Sequence, residues 1–276
     1  MKKPLNRKGI VGIEAAIVMI AFVIVAAALA FVVLNMGFFT TQQTRQVIQR
    51  GLGQSASALE VDGTLVANVD VSQSRIQFVY VPIKLSTGQY VVDLTPGKSI
   101  VAYWSPQRGI SIANTYLAAI LTPIDTPQKL ANITKALINE EDITISGRKG
   151  EVKTYYATCN EQEGCTINID EVPGGYKILI ALPDDVDNDG ITLKDFFRRF
   201  TGGEVVTVMA WLTKINEDIV LDPGEKVLML TYYNSSNSMP QSYDIVKFEI
   251  RVPIGAPLTI ERSVPPSLTQ GVVDLG

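Results

Sequence analysis

The sequence predicts an α+β protein in which a long N-terminal hydrophobic α-helix precedes a mainly antiparallel β-sandwich. Two observations support this fold class. The thirty residues from Ile10 to Phe39 contain a single ionisable side chain, Glu14. After Gly63 the apolar residues recur in short alternating runs separated by turn residues, which is typical of strands. We therefore expect a leader at residues 1–9, the hydrophobic helix at residues 10–62 and a β-rich domain at residues 63–276.

The hydrophobic helix is long enough to cross a membrane. At about 1.5 Å per residue its apolar stretch Ile10–Phe39 spans about 45 Å, against about 30 Å for a hydrocarbon core. Because it is apolar on every face, we expect it to lie in lipid or among similar helices. The leader, MKKPLNRKG, carries four basic residues and no acidic one, which favours a cytoplasmic position for it. A plain single-pass anchor or an uncleaved signal would also fit the hydropathy.

The junction between leader and helix resembles a known processing site. An ordinary secretory signal has its small residue after the apolar region, whereas Gly9 precedes it here. The residues Arg7, Lys8, Gly9 and Ile10, with Glu14 further on, resemble the cleavage site of class III, type IV pilin-like signal peptides. Cutting between Gly9 and Ile10 would leave the hydrophobic helix on the mature protein.

Both ends of the chain resemble the archaellins, the archaeal flagellins. The two stretches are RKGIVGIEAAIVMIAFVIVAAALAFVVLNMGFFTTQ at residues 7–42 and GAPLTIERSVPPSLTQGVVDL at residues 255–275. The resemblance implies a structural subunit that polymerises through its N-terminal helix into an extracellular archaellum filament used for swimming. It also implies membrane insertion before assembly, and as partners a prepilin-type signal peptidase and a membrane-embedded motor with an assembly ATPase. Two alternatives stay open: a type IV pilin-like adhesion subunit, and a membrane-anchored extracellular binding protein that never polymerises.

Glu14 is the residue of the helix that needs a partner. A carboxylate at bilayer depth costs about 2.5–3.5 kcal/mol on insertion scales, so a plain anchor gains nothing from it. The natural partner is the α-amino group that cleavage creates on Ile10 of a neighbouring subunit, a cation with a pKa near 8. Gly12 and Ala16, small residues at helical spacing, would permit close approach of helix backbones.

Composition limits the other functions. The chain carries 24 basic and 28 acidic residues, and removing the four basic residues of the leader takes the net charge from -4 to -8. Nucleic-acid binding is therefore not expected. The sequence contains no histidine, which excludes Ser-His-Asp and Cys-His enzymes. We expect a protein without enzymatic activity and without a required cofactor.

The region after the hydrophobic helix is predicted to form an immunoglobulin-like sandwich with two short helices. We expect that first helix to end near Val61–Gly63, where glycine can adopt the left-handed conformation. The short helices are predicted at residues 127–139 and 192–200, and Thr192 with Asp195 caps the second of them. The predicted strands, rich in Val, Ile, Tyr and Phe, are Ile76–Leu85, Tyr90–Leu94, Ser99–Trp104, Tyr176–Leu182, Glu204–Leu212, Lys226–Tyr233, Tyr243–Val252 and Leu258–Arg262.

Cys159 and Cys165 enclose the loop NEQEG. In a chain exported past a membrane, two cysteines this close favour a disulfide. A thiol pair for metal or redox chemistry is the weaker alternative, because the spacing is not C-x-x-C and no histidine could complete a zinc site.

The motif DVDNDG at residues 185–190 resembles the front half of a calcium loop, in which oxygens at alternate positions surround a hard cation. Its candidate ligands are Asp185, Asp187 and Asp189, with Asp195 nearby. The back half departs from the pattern, because Phe196 stands where a bidentate glutamate belongs. Calcium is thus the one candidate cofactor, and an Asp-rich turn before a helix is the alternative.

Two N-x-S/T triplets occur, Asn132-Ile133-Thr134 and Asn234-Ser235-Ser236. Such triplets also arise by chance in chains of this length. Since archaellins are commonly N-glycosylated, the resemblance makes Asn132 and Asn234 candidate glycan sites.

Overall fold

The computed structural model describes residues 8–56, 59–86, 91–160 and 164–276, and at residues 8–11, 49–50, 52–56 and 187–189 it describes the backbone alone. The chain divides into two compact units, Met1–Leu52 and Gly53–Gly276.

The helices are α1 (Lys8–Ala56), α2 (Pro127–Asn139) and α3 (Leu193–Thr201), with a 3-10 turn at Pro106–Arg108. The strands are β1 (Leu59–Val61), β2 (Val66–Asp70), β3 (Arg75–Leu85), β4 (Val92–Asp93), β5 (Ile100–Ser105), β6 (Ile110–Ile112), β7 (Tyr116–Ile120), β8 (Thr144–Gly147), β9 (Val152–Asn160), β10 (Gly164–Asn168), β11 (Tyr176–Ala181), β12 (Val186–Thr192), β13 (Val205–Thr213), β14 (Val220–Leu221), β15 (Lys226–Tyr233), β16 (Ile245–Arg251), β17 (Leu258–Ser263) and β18 (Val272–Asp274).

The first helix, α1, ends at Ala56 instead of near Gly63. Its sequence is rich in Ala and contains no proline, the residue that would break a helix interior. It stops early because Leu59–Val61 form β1, which pairs antiparallel with the end of β3. The next residue, Asp62, donates its backbone N–H to the carbonyl of Pro82 at 2.9 Å and forms ion pairs with two lysines. Sheet pairing thus replaces the last predicted turn of the helix.

Two sheets form the core of the second unit. The ten-stranded main sheet has the order β10-β9-β11-β7-β13-β15-β3-β2-β18, with β1 also paired to β3. Its pairs are antiparallel except that of β7 with β13, which is parallel. The four-stranded second sheet has the order β17-β16-β5-β6. Two further pairs of strands, β12 with β8 and β14 with β4, form small two-stranded sheets.

The two faces of the main sheet bury different partners. Along β3, Val79, Val81 and Ile83 share an apolar core with residues of the second sheet. The alternate residues of the same strand, Phe78 and Tyr80, share a core with α2 and α3. This period of two is the geometry of a strand buried on both faces. The predicted β-sandwich is therefore confirmed, and two helices add a third layer to it.

The predicted short elements are confirmed with small shifts. Residues 127–139 are α2 as predicted, and Thr126 Oγ1 accepts a hydrogen bond from the N–H of Lys129 at 3.4 Å. Helix α3 begins after its cap Thr192, whose Oγ1 accepts from the N–H of Asp195 at 3.1 Å, and ends at Gly202 with φ 69°. The strand predicted at Tyr90–Leu94 is seen as β4, and Tyr90 lies outside the described residues.

Candidate functional site: the N-terminal helix

The surface of α1 is apolar and open to solvent. All side chains from Gly12 to Ile48 are exposed, including Phe22 at 77% and Leu34 at 73%. At about 1.5 Å per residue this segment is about 55 Å long. Within the described residues it is the one helix long and apolar enough to cross a membrane. An apolar surface of this extent is typical of a membrane or protein contact site.

Between Gly12 and Ile48 the ionisable residues are Glu14 and Arg45. Glu14 is exposed and forms no ion pair with any residue that the structure describes. When the helix leaves water, this carboxylate must either take up a proton or pair with a cation of a second molecule, because an unpaired carboxylate in apolar surroundings is strongly destabilising.

At Gly12 the helix backbone is not covered by a side chain. A Cβ atom placed on it would meet nothing within 4 Å, so no contact with the described part of the chain requires glycine there. Glycine in a helix interior costs about 1 kcal/mol relative to alanine. Ala16 lies one turn further along the same face. Small residues at this spacing permit close approach of a second helix backbone, and their role in assembly stays a prediction.

Three threonine hydroxyls after Phe39 are satisfied inside the helix, which the sequence analysis missed. Thr40, Thr41 and Thr44 donate to backbone carbonyls four residues earlier at 2.8, 2.8 and 2.9 Å. Their polar groups therefore need no outside partner. Gln42 and Gln43 lie in the same turn, so this part of α1 stays polar.

The predicted cleavage bond lies at the very start of α1. The helix begins at Lys8, so the bond between Gly9 and Ile10 is in its first turn. Residues 1–7 of the leader and the side chain of Ile10 lie outside the described residues. Cleavage there would remove Lys8 and Gly9 from the helix and leave the remainder intact.

The predicted disulfide is present. Cys159 on β9 and Cys165 on β10 are bonded and are cross-strand partners in register. Beside them the hydroxyls of Thr158 and Thr166 lie 2.8 Å apart. The disulfide therefore links the edge strand β10 covalently to its neighbour β9 in the main sheet.

The Asp-rich loop is only partly described. Asp185 accepts a hydrogen bond on Oδ1 from the backbone N–H of Lys149 at 2.8 Å, while Asp195 lies in the first turn of α3. The backbone from Val186 onwards is β12, not a simple turn. The side chains of Asp187 and Asp189 lie outside the described residues. Among the residues that are described, no three potential ligands cluster as a metal site would require, and the calcium assignment stays a prediction.

The two candidate glycan sites differ in environment. Asn132 is in the middle of α2, and the hydroxyl of Thr134 is buried and donates to the carbonyl of Leu130 at 2.8 Å. Asn234 is exposed after β15, and Ser236 beside it is exposed as well. The Nδ2 of Asn234 donates to the carbonyl of Gly203 at 3.0 Å.

Known proteins resemble this chain along nearly its whole length. The archaeal-type flagellin family matches residues 9–262. Probable flagellin 1 of Aeropyrum pernix is 35% identical over 272 residues, which cover 98% of this chain and 99% of that protein. Probable flagellin 2 of Archaeoglobus fulgidus is 27% identical and covers 96% of this chain and 93% of its own. Among solved structures, the archaeal flagellum of Methanospirillum hungatei strain JF1 aligns with 95% of this chain and 98% of its own, with 19% identity and a TM-score of 0.47. This chain belongs to the archaeal-type flagellin family.

Proposed function

We propose that α1 is the assembly element through which this flagellin builds the archaellum filament used for swimming. The chain is a structural filament subunit and not an enzyme. The observation that carries the proposal is the apolar surface of α1 from Gly12 to Phe39, along which every residue is exposed. Identical copies that each bury this surface against the next, head to tail, form an open helical filament.

Before assembly the helix occupies the membrane, with the β-rich unit on the extracellular side. Neighbouring helices gain little hydrophobic energy by meeting in lipid, because lipid tails are as apolar as the helices. Moving from lipid into a bundle of copies keeps α1 in apolar surroundings. We assign cleavage after Gly9 to a prepilin-type signal peptidase, and assembly and rotation to a membrane-embedded motor with its ATPase.

Glu14 sets the axial register of the bundle in this proposal. Its carboxylate pairs with the new α-amino group of Ile10 on the adjacent copy, and each pair neutralises two charges in the apolar core. The support is the exposed position of Glu14 and its lack of an ion partner among the described residues. Close approach at Gly12 and Ala16 shortens the distance between the two helices.

Filament counts by electron microscopy test this role. Glu14→Ala should be cleaved and inserted normally and yield few or no filaments, and Glu14→Gln should fall in between. Gln42→Ala, a change at an exposed polar position near the other end of the same helix, is the matched control and should assemble normally. Wild-type filament numbers for Glu14→Ala at matched protein levels would refute the proposal.

We also propose that Asn234, and not Asn132, carries a glycan in the folded subunit. Transfer requires access to the asparagine and to the hydroxyl two residues later. The Asn234 triplet offers both on the surface, whereas the Thr134 hydroxyl is buried in α2. Peptide mass spectrometry of purified filaments should find the glycan on Asn234 alone. Modification at Asn132 would contradict this assignment.

A further inference from the structure

A cavity of about 460 Å³ lies at one end of the main sheet, where β7 and β13 end and β11 begins. Its volume falls within the range of small-molecule sites. The lining comprises residues 121–123, 171–175 and 214–217 together with Tyr156 and Lys177. We call it the Lys214 pocket.

The ammonium group of Lys214 lacks an acceptor. Its Nζ atom is enclosed and makes no hydrogen bond with any residue in the described part of the chain. It lies 4.4 Å from the centroid of the Trp211 ring. This cation–π contact offsets part of the desolvation cost, but an ammonium has three N–H donors that a ring face does not satisfy. Burial lowers the pKa of Lys214, and the charges of Glu225 and Asp218 only partly oppose that effect.

The buried carboxylate of Glu225 already accepts hydrogen bonds from other donors. Its side chain accepts hydrogen bonds from Trp211 Nε1 at 3.0 Å, from the N–H of Ile215 at 2.7 Å and from the N–H of Asp222 at 3.2 Å. These bonds fix the segment that follows β13 and hold Lys214 in place. The pocket is therefore organised before any ligand arrives.

The rest of the lining favours a singly charged ligand with a carbon skeleton. Lys177 adds a second ammonium, and Glu171 and Glu217 add two carboxylates, so with Lys214 the formal charges cancel. A dianion such as phosphate would be repelled by the two carboxylates more than a monoanionic group. Ile215, which is 69% exposed, and the neighbouring prolines supply apolar contact.

We propose that the Lys214 pocket binds a carboxylate group, which accepts the hydrogen bonds that the Lys214 ammonium lacks. One source is an Asp or Glu side chain of a neighbouring copy, and this source rests on the filament function proposed above. The other is a free organic acid. The chain carries 28 acidic residues, and a filament holds its copies in permanent contact.

Binding is measured on full-length subunits dissociated in detergent. Trp104→Phe leaves Trp211 as the sole tryptophan, and its emission should change saturably as butyrate or the α-amide of N-acetylaspartate, each with a single carboxylate, is added. Lys214→Met should weaken this binding roughly 10- to 100-fold, and Lys214→Arg should retain it. Equilibrium dialysis of labelled butyrate against the chain with both tryptophans gives the same measurement independently of Trp104→Phe.

The matched control is Lys135→Met. The Lys135 ammonium also lies over an aromatic ring, 5.0 Å from the centroid of Phe78, but it is outside the pocket. This variant should bind butyrate as the unsubstituted chain does. Inorganic phosphate at equal ionic strength should give no saturable response.

Intact filaments distinguish the two sources. If a neighbouring copy supplies the carboxylate, filaments do not bind added butyrate, and Lys214→Met filaments dissociate at a lower salt concentration or temperature. If a free acid supplies it, filaments and dissociated subunits respond alike, and Lys214→Met filaments keep normal stability. The inference is overturned if dissociated subunits bind neither acid, if Lys214→Met binds as well as the unsubstituted chain, or if phosphate binds equally. These measurements on subunits do not depend on the role of Glu14, so the two proposals can fail separately.

Discussion

Replacing Glu225 with glutamine should destabilise the β-rich unit although the side chain keeps its shape. Glu225 is 1% exposed. One of its oxygens accepts from the N–H groups of Ile215 at 2.7 Å and Asn216 at 3.5 Å. The other accepts from Trp211 Nε1 at 3.0 Å and the N–H of Asp222 at 3.2 Å. A glutamine has one acceptor oxygen, so its NH₂ group would face one of these pairs of donors.

The expected loss follows from those bonds. Two charge-assisted hydrogen bonds at about 1.5–3 kcal/mol each amount to about 3–6 kcal/mol. Because the segment after β13 lies partly at the surface, water can replace some of the lost acceptor capacity. We expect a loss of about 2–4 kcal/mol in the free energy of unfolding. For a domain of this size the melting temperature should fall by roughly 5–15 °C.

Thermal unfolding of the full-length chain in detergent, followed by circular dichroism at pH 7, measures this loss. Glu261→Gln is the matched control, because its carboxylate is 55% exposed and pairs with Lys247 at 3.3 Å. An exposed ion pair contributes at most about 1 kcal/mol. Equal melting temperatures for the two variants would refute the assigned role of Glu225.

The difference between Glu225→Gln and the unsubstituted chain should also depend on pH. Burial is the largest influence on the pKa of Glu225 and raises it, but the donors together lower the pKa below its usual 4.5. The ionised form therefore stabilises the fold above about pH 4.5, and that contribution is lost as pH falls through the lowered pKa. The gap in melting temperature should narrow below pH 4.5.

Three further predictions concern processing, the disulfide and calcium. Gly9→Val should give an uncleaved membrane precursor without filaments, visible as a larger band on a blot; normal filaments would contradict the assigned cleavage site. Replacing Cys159 and Cys165 together with serine should lower the melting temperature modestly and spare assembly, because a loop this short gains less than the ~3 kcal/mol of a 15-residue loop; loss of filaments would assign the bond a larger role. Calcium should raise the melting temperature and chelator should reverse the gain, with Asp187→Asn removing the response; a melting curve indifferent to calcium would leave an Asp-rich loop without a metal.

Elements whose signals are local could be predicted from the sequence. Helix α2 has its predicted bounds, and the signals that start it, the cap Thr126 and Pro127 at the first helical position, are adjacent in the chain. Strand β3 was predicted from its alternating Val, Ile and Tyr. By contrast, β9 carries the mixed sequence VKTYYATCN and gains its strand conformation from pairing with β10 and β11 on its two sides. Strand β7 was missed because YLAAI is short and its parallel partner β13 lies far along the chain.

Some features of the candidate sites depend on neighbours in the chain, and others depend on the tertiary structure. The sequence by itself determined the apolar helix, the isolated charge of Glu14, the basic leader and the closeness of Cys159 to Cys165, because each depends on neighbours in the chain. Only the tertiary structure decided where α1 ends, since β1 competes for Leu59–Val61 through its pairing with β3. Only the tertiary structure formed the Lys214 pocket, because three segments distant in sequence meet there and long-range packing, not local preference, encloses its ammonium group.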